Sequence, residues 1–255
     1  MNKIVSFHKK IQNTLTINTD IIIHTNFETI KKLQEGYSIA RYGDGEFLLM
    51  INKNMLYESF DETLKNRLIQ VLTQNDNHNL LLGIPIMFFK HDAYASQTIN
   101  GKRLYKHWNN NIRLNILNNM HLFNRKEYYS SFFTQLYAYS SEENKLYLNE
   151  LKKIWNNKNV VLYMNNDVYN KTLNIIKLIF SNAIDITHES VPPTNAWSHY
   201  TSILNSVKKY NTNTLILVCC GATATIMAYD VSLLGYQIID FGQFIEDIVY
   251  EQHIL

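Results

Sequence analysis

Two acidic residues after a predicted strand are the first candidates for chemistry. Asp44 and Glu46 stand two positions apart, so both carboxylates can be directed at one cation, and Mg²⁺ or Mn²⁺ prefers such hard oxygen ligands. Gly43 and Gly45 let a ligand approach the backbone closely, and Arg41 can pair with a phosphate. We therefore predict catalytic roles for Arg41, Asp44 and Glu46, with the two carboxylates as metal ligands. An ordinary Gly-Asp-Gly turn with a solvated Glu46 is the alternative.

A second candidate site is the turn between a buried apolar run and the next predicted helix. Its proposed ligand-binding residues are Gly221, Thr223, Ala224 and Thr225. Free N–H groups and the positive dipole end of a helix suit a phosphate. Asp240 follows 19 positions after Gly221, a spacing typical of the acidic residue that contacts a ribose in dinucleotide-binding folds. The full Gly-x-Gly-x-x-Gly signature is absent, so a purely structural strand-to-helix turn is equally consistent with this segment.

The elements that must position these turns alternate between strands and helices. Predicted strands cover residues 37–42, 79–84, 159–164, 183–187, 214–218 and 236–241, and predicted helices cover 26–34, 61–73, 168–180, 195–207 and 222–234. Residues 102–155 are predicted to be mostly helical, with the aromatic-rich stretch 126–139 as core packing. This order predicts an α/β fold with a Rossmann-like parallel sheet flanked by helices. Ligands bind such sheets at the carboxyl ends of the strands.

Composition limits the class of protein. Of the 255 residues, 46% are hydrophobic and 18% are charged, which supplies a sizeable core and excludes a disordered chain. A net charge of +2 argues against a dedicated nucleic-acid binder. The only cysteines are the adjacent Cys219 and Cys220, so a disulfide framework is excluded. We expect a lead at residues 1–25, a single domain at 26–255, no transmembrane segment, and a cytoplasmic location.

Four motifs together resemble a known family. They are residues 38–50 (SIARYGDGEFLLM), 79–85 (NLLLGIP), 195–197 (NAW) and 221–242 (GATATIMAYDVSLLGYQIIDFG). In this order they resemble the GT-D glycosyltransferases, formerly called domain of unknown function 1792, over residues 26 to 250. The resemblance implies a GT-D fold and a UDP-sugar donor, typically UDP-glucose or a related hexose. It also implies Mn²⁺ dependence through Asp44 and Glu46, and a glycan acceptor on bacterial surface glycoproteins or polysaccharides.

The chain departs from the family pattern at three positions. Ala222 stands where the family usually has Pro, Gln243 where it often has His, and Gln135 where it has Arg. Gln243 is retained as a candidate ligand-binding residue that would act through a neutral amide. Two alternatives stay open, a Rossmann-type enzyme that uses NAD or S-adenosylmethionine and a non-catalytic subunit that binds a nucleotide sugar. A lipid-linked acceptor would also require contact with the inner face of a membrane, for which the basic lead is a candidate.

Overall fold

Parallel strands form the centre of the molecule. The structure is a computed structural model that describes residues 21–85, 120–135 and 141–250. The strands are β1 Ile22–Ile23, β2 Ser38–Arg41, β3 Leu80–Ile84, β4 Glu127–Ser130, β5 Asn159–Met164, β6 Asp185–Ser190, β7 Leu215–Val218 and β8 Ile238–Asp240. They form one sheet in the order β1-β4-β3-β2-β8-β7-β5-β6, and neighbouring strands are parallel. The predicted parallel α/β architecture is confirmed.

Helices cover both faces of this sheet. They are α1 Asn26–Gln34, α2 Asp44–Met50, α3 Glu62–Thr73, α4 Ser141–Trp155, α5 Asn166–Ile179, α6 Tyr200–Val207, α7 Ala222–Leu233 and α8 Phe244–Tyr250, with short 3₁₀ turns at Met120–Leu122 and Ala196–His199. One apolar core lies under α2, α3, α6 and α7, and another lies under α1, α4, α5 and α8. The sheet is thus buried on both faces, as parallel sheets are.

Strand β5 shows why the sequence folds this way. Val161 and Tyr163 belong to the core on the α7 side, whereas Val160 and Leu162 belong to the core on the α4 side. Successive side chains of a strand point to opposite faces, so an unbroken apolar run has to be covered twice. Such a strand holds the loops at its carboxyl end on a rigid base.

The structure corrects the predicted helical middle. Residues 127–130 form strand β4, which pairs with β3 and with β1, because aromatic residues such as Tyr128 and Tyr129 fit a pleated, half-buried surface well. The α4 part of that prediction is confirmed, and residues 102–119 and 136–140 lie outside the described residues. Strand β1 lies within the predicted lead, and α8 was not predicted. Within the described ranges, no helix combines the length and the apolar character needed to cross a membrane.

Candidate active site

A cavity of about 370 Å³ lies at the carboxyl edge of the sheet. Its floor is formed where β2, β7 and β8 end, and its walls come from the segments that follow β4, β5 and β6. The predicted site residues that line it are Arg41, Gly43, Asp44, Gly45, Glu46, Gly221, Asp240 and Gln243. Both candidate turns therefore meet in one cavity, although they are more than 170 positions apart in the sequence.

The first candidate turn is the first turn of helix α2. Gly43 is the N-cap, Asp44 is the first helical residue, and Glu46 is the third. The buried Glu46 accepts a hydrogen bond on Oε2 from the Gly43 N–H at 2.6 Å, as in a capping box. Asp44 is exposed and accepts on Oδ1 from the Gly45 N–H at 3.0 Å. The two carboxylates thus differ, since one holds the helix start and the other faces solvent.

Burial raises the pKa of two carboxyl groups in the cavity, Glu46 and Asp240. Burial is the main cause that raises the pKa of Glu46 to about 7, and the negative charge of Asp240 adds to it. Burial also raises the pKa of Asp240 to about 6, against the opposing effect of the Arg41 guanidinium. Both carboxyls are therefore destabilised as anions, so a cation in the cavity would favour their ionised forms.

Arg41 is held in place from several sides. Its Nη1 donates to Thr134 Oγ1 at 2.9 Å, and its guanidinium lies 5.5 Å from the centre of the Phe133 ring. A Cβ on Gly242 would lie 2.5 Å from Arg41 Nη1, so a side chain there would displace the guanidinium from its present position. The buried Nε has no hydrogen-bond partner in the part of the chain that the structure describes. The side chain is thus a fixed positive charge at the cavity.

The second candidate turn reaches the cavity through its glycine. Gly221 is the N-cap of α7 with φ 58° and ψ −146°, and it has no side chain to compete for the first N–H groups of the helix. Thr223, Ala224 and Thr225 are buried and are not among the cavity-lining residues. Thr225 Oγ1 donates to the Arg41 carbonyl at 2.8 Å, and it lies 3.4 Å from Asp240 Oδ2. Its hydroxyl therefore connects α7 to β2 and β8.

Sequence reasoning missed the loop between α2 and α3, residues 51–61, which we call the α2–α3 loop. Met55 and Tyr57 line the cavity, and Met55 Cε lies 2.5 Å from a Cβ built on Gly45 and 4.0 Å from one on Gly221. Glu58 is buried and accepts from Thr223 Oγ1 at 3.4 Å. Burial raises the pKa of Glu58. The loop has no periodic pattern or motif, so the sequence carried no signal for it.

The charge balance of the cavity is strongly negative. Among the residues that the structure describes, the acidic side chains that line it are Asp44, Glu46, Asp240, Glu246 and Asp247. Arg41 is the only Lys or Arg among the described residues of the lining. Oxygen ligands of this kind suit Mg²⁺ or Mn²⁺. Among the described residues, however, no three acidic, His or Cys side chains come close enough to hold an ion by themselves. A divalent cation bound by these oxygens would therefore need further ligands from water and a bound phosphate.

Comparison with known proteins identifies similar sequences. The family model for the "Glycosyltransferase GT-D fold" matches residues 39–254. A "probable glycosyl transferase Gly" of Streptococcus gordonii is 24% identical over 212 residues, which are 82% of this chain and 30% of that protein. "Glycosyltransferase GlyD" of Streptococcus pneumoniae serotype 4 is 23% identical over 220 residues, which are 82% of this chain and 25% of that protein. The chain thus spans less than a third of the length of these curated relatives.

Solved structures with the same architecture also exist. A structure described as a new glycosyltransferase (DUF1792) from Streptococcus sanguinis aligns with a TM-score of 0.80 at 24% identity, over 91% of this chain and 85% of that chain. A second, described as the domain of unknown function 1792 with a distinct glycosyltransferase fold, aligns with a TM-score of 0.77 at 24% identity, over 91% of this chain and 82% of that one. The overall fold is therefore shared with both structures.

Proposed function

Because the chain belongs to the GT-D fold glycosyltransferase family, we propose that it transfers a hexose, glucose or a related sugar, from a UDP-sugar to a glycan acceptor. The acceptor would be a protein- or lipid-linked glycan in the synthesis of bacterial surface glycoproteins or polysaccharides. Family membership favours this reaction over an enzyme that uses NAD or S-adenosylmethionine.

The observation that carries the proposal is the charge of the cavity. Among the described residues, five carboxyl groups and one arginine line the cavity. Without a cation, these carboxylates would repel the negative charges of a diphosphate. We propose Mn²⁺, or Mg²⁺, held by Asp44 and Glu46 together with the diphosphate. When bound, the ion would offset the negative charge that builds up on the leaving UDP. It would also favour the ionised form of Glu46, whose pKa burial otherwise raises.

The chain's own residues would bind and orient the donor. The guanidinium of Arg41 and the N–H groups at the start of α7, beside Gly221, would donate to the diphosphate. An inverting transferase also needs a carboxylate that takes the proton from the acceptor hydroxyl. Asp240, Glu246 and Asp247 line the cavity, and burial raises the pKa of Asp240 and of Glu246. A raised pKa makes these carboxylates better proton acceptors near neutral pH.

Replacement of Asp44 tests this assignment. We expect Asp44→Asn to lower UDP release from UDP-glucose or UDP-galactose in the presence of Mn²⁺ by about a hundredfold or more, the cost of removing a preorganised charge at a reacting group. The fold should persist because Asp44 is exposed. Asp185→Asn is the matched control. Asp185 is also exposed, but it begins β6 and so lies at the amino ends of the strands, away from the cavity.

The result also decides between catalysis and binding alone. Turnover by Asp44→Asn at the rate of the unmodified protein would contradict the role of Asp44. A protein that binds UDP-sugars but releases no UDP across a panel of glycan acceptors would be a non-catalytic nucleotide-sugar-binding subunit.

A further inference from the structure

One aromatic side chain at the cavity mouth is not used by the proposed chemistry. Tyr57 lies on the α2–α3 loop, lines the cavity, and is 43% exposed. Its neighbour Leu56 is 81% exposed and is not among the lining residues. The loop therefore turns one aromatic ring toward the cavity while the adjacent leucine faces solvent.

The backbone on both sides of Tyr57 is anchored. The Asn195 N–H donates to the Tyr57 carbonyl at 2.8 Å, and the Ser59 N–H donates to Asn195 Oδ1 at 2.9 Å. Between these two bonds, the buried carboxylate of Glu58 accepts from the Trp197 N–H at 3.4 Å. The segment that carries the ring is therefore fixed to the 3₁₀ turn at residues 196–199, and little ordering would be needed on binding.

The hydroxyl at the end of the ring also makes one polar contact. Gln243 Nε2 donates to the Tyr57 hydroxyl at 3.4 Å, and this contact joins the α2–α3 loop to the segment that follows β8. An aromatic ring on an anchored backbone segment offers an apolar face at low entropic cost. This face stands beside a cavity whose described lining includes five carboxyl groups.

The position of Tyr57 relative to the proposed diphosphate site indicates what the ring contacts. Met55, two residues earlier, lies between Gly45 and Gly221, and Gln243 follows Gly242, which packs against Arg41. A group attached to the diphosphate, on its sugar side or on its nucleoside side, would thus come next to the Tyr57 ring. A pyranose suits both surfaces, because its C–H face can pack on an aromatic ring while its hydroxyls donate to carboxylates.

From this arrangement, and resting on the proposed function, we infer that Tyr57 is a donor-binding residue whose ring packs against the hexose of the UDP-sugar. The hydroxyl of Tyr57 then serves to orient the ring through Gln243, and the ring itself supplies the contact.

The test separates the sugar from the nucleotide. Dissociation constants would be measured by calorimetry with Mn²⁺ for UDP and for whichever of UDP-glucose, UDP-galactose and UDP-N-acetylglucosamine binds most tightly to the unmodified protein. We expect Tyr57→Ala to weaken binding of the UDP-hexose about five- to tenfold and binding of UDP by less than about twofold. Tyr57→Phe keeps the ring and should stay within about twofold for both ligands.

Leu56→Ala is the matched control on the same loop, and it should change neither constant. The inference is overturned if Tyr57→Ala weakens UDP and the UDP-hexose equally, since the ring would then contact the nucleotide. It is also overturned if Tyr57→Ala changes neither constant, or if Tyr57→Phe loses as much affinity as Tyr57→Ala. A failure of the unmodified protein to bind any UDP-hexose would instead contradict the proposed function, so the two failures are distinguishable.

Discussion

Glu46 caps helix α2, a role that the spacing of its Asp-x-Glu motif does not reveal. The pair Asp44 and Glu46 predicts two carboxylates directed at one cation. In the structure the Glu46 carboxylate accepts from the Gly43 N–H and is buried, while Asp44 is exposed. The sequence did contain the signal for this difference, since Gly at the N-cap and Glu three positions later is a pattern that begins a helix. A metal at this site would therefore compete with the helix cap for the Glu46 oxygens.

This burial predicts how stability depends on pH. The pKa of Glu46 is raised to about 7 in the folded protein from an ordinary value of 4.5, so between these values the folded state holds a proton that the unfolded state has lost. The contribution of Glu46 to stability is full below about pH 4.5 and declines as the pH rises through about 7. Without metal, Glu46→Gln should reduce this decline by about 1–3 kcal/mol, because its amide oxygen can still accept from Gly43.

Urea unfolding at pH 5 and pH 7.5 in the presence of a chelator measures this effect. Glu62→Gln is the control, because Glu62 lies in the first turn of α3 and is exposed. The same pH dependence in Glu46→Gln and the unmodified protein would show that Glu46 ionises normally in the folded state.

Helix α7 is flanked by two glycines whose backbone conformation other residues rarely adopt. Gly221 precedes the helix with φ 58°, and Gly235 follows it with φ 88°. A side chain in this region strains the backbone, yet a Cβ at Gly235 would meet nothing within 4 Å and one at Gly221 only Met55 Cε at 4.0 Å. The two ends of α7 thus share the same backbone requirement but differ in position, because only Gly221 lines the cavity.

Alanine at either glycine should therefore destabilise the fold to a similar extent, but only alanine at position 221 should affect ligand binding. Gly221→Ala and Gly235→Ala should each lower the free energy of unfolding by about 1–3 kcal/mol. Gly221→Ala should also weaken UDP binding in the presence of Mn²⁺ about tenfold, because it moves the N–H groups that begin α7, whereas Gly235→Ala should leave UDP binding unchanged. Chemical unfolding and calorimetry on both variants measure this. Equal UDP affinity in the two variants would exclude the start of α7 from the phosphate site.

The sequence predicts an element well when residues within that element determine its structure, and poorly when contacts with distant segments do. Strand β5 is bounded as predicted, and α7 within one residue, because buried apolar runs and a glycine before the helix are local signals. Strand β4 was assigned to a helical region because its stability comes from pairing with distant β3. The α2–α3 loop takes its shape from bonds to Asn195, more than 130 positions away, so no local pattern could predict its place at the cavity.

At the scale of the whole molecule, the cavity lies over the junction between two halves of the sheet. Strands β1 to β4 form one half and β5 to β8 the other, and they meet where β2 runs beside β8. Only Ile39 and Ile239 pair in register there, and side chains reinforce the contact, since Ser38 Oγ accepts from the Ile238 N–H at 3.0 Å. The Arg41 N–H donates to Asp240 Oδ2 at 3.3 Å on the same junction. A ligand that contacts Asp44 and Gly221 would therefore bridge both halves.

This architecture predicts that donor and cation stabilise the fold together. The protein has a net charge of only +2, but five described carboxyls line the cavity, so UDP alone should bind weakly and raise the melting temperature little. At about a hundred times its dissociation constant, UDP with Mn²⁺ should stabilise the folded state by roughly 2.7 kcal/mol. Thermal unfolding with UDP, with Mn²⁺, with both, and with both plus a chelator measures this. An equal shift with UDP in the presence of the chelator would contradict the metal requirement, because the diphosphate would then be bound despite the carboxylates that surround it.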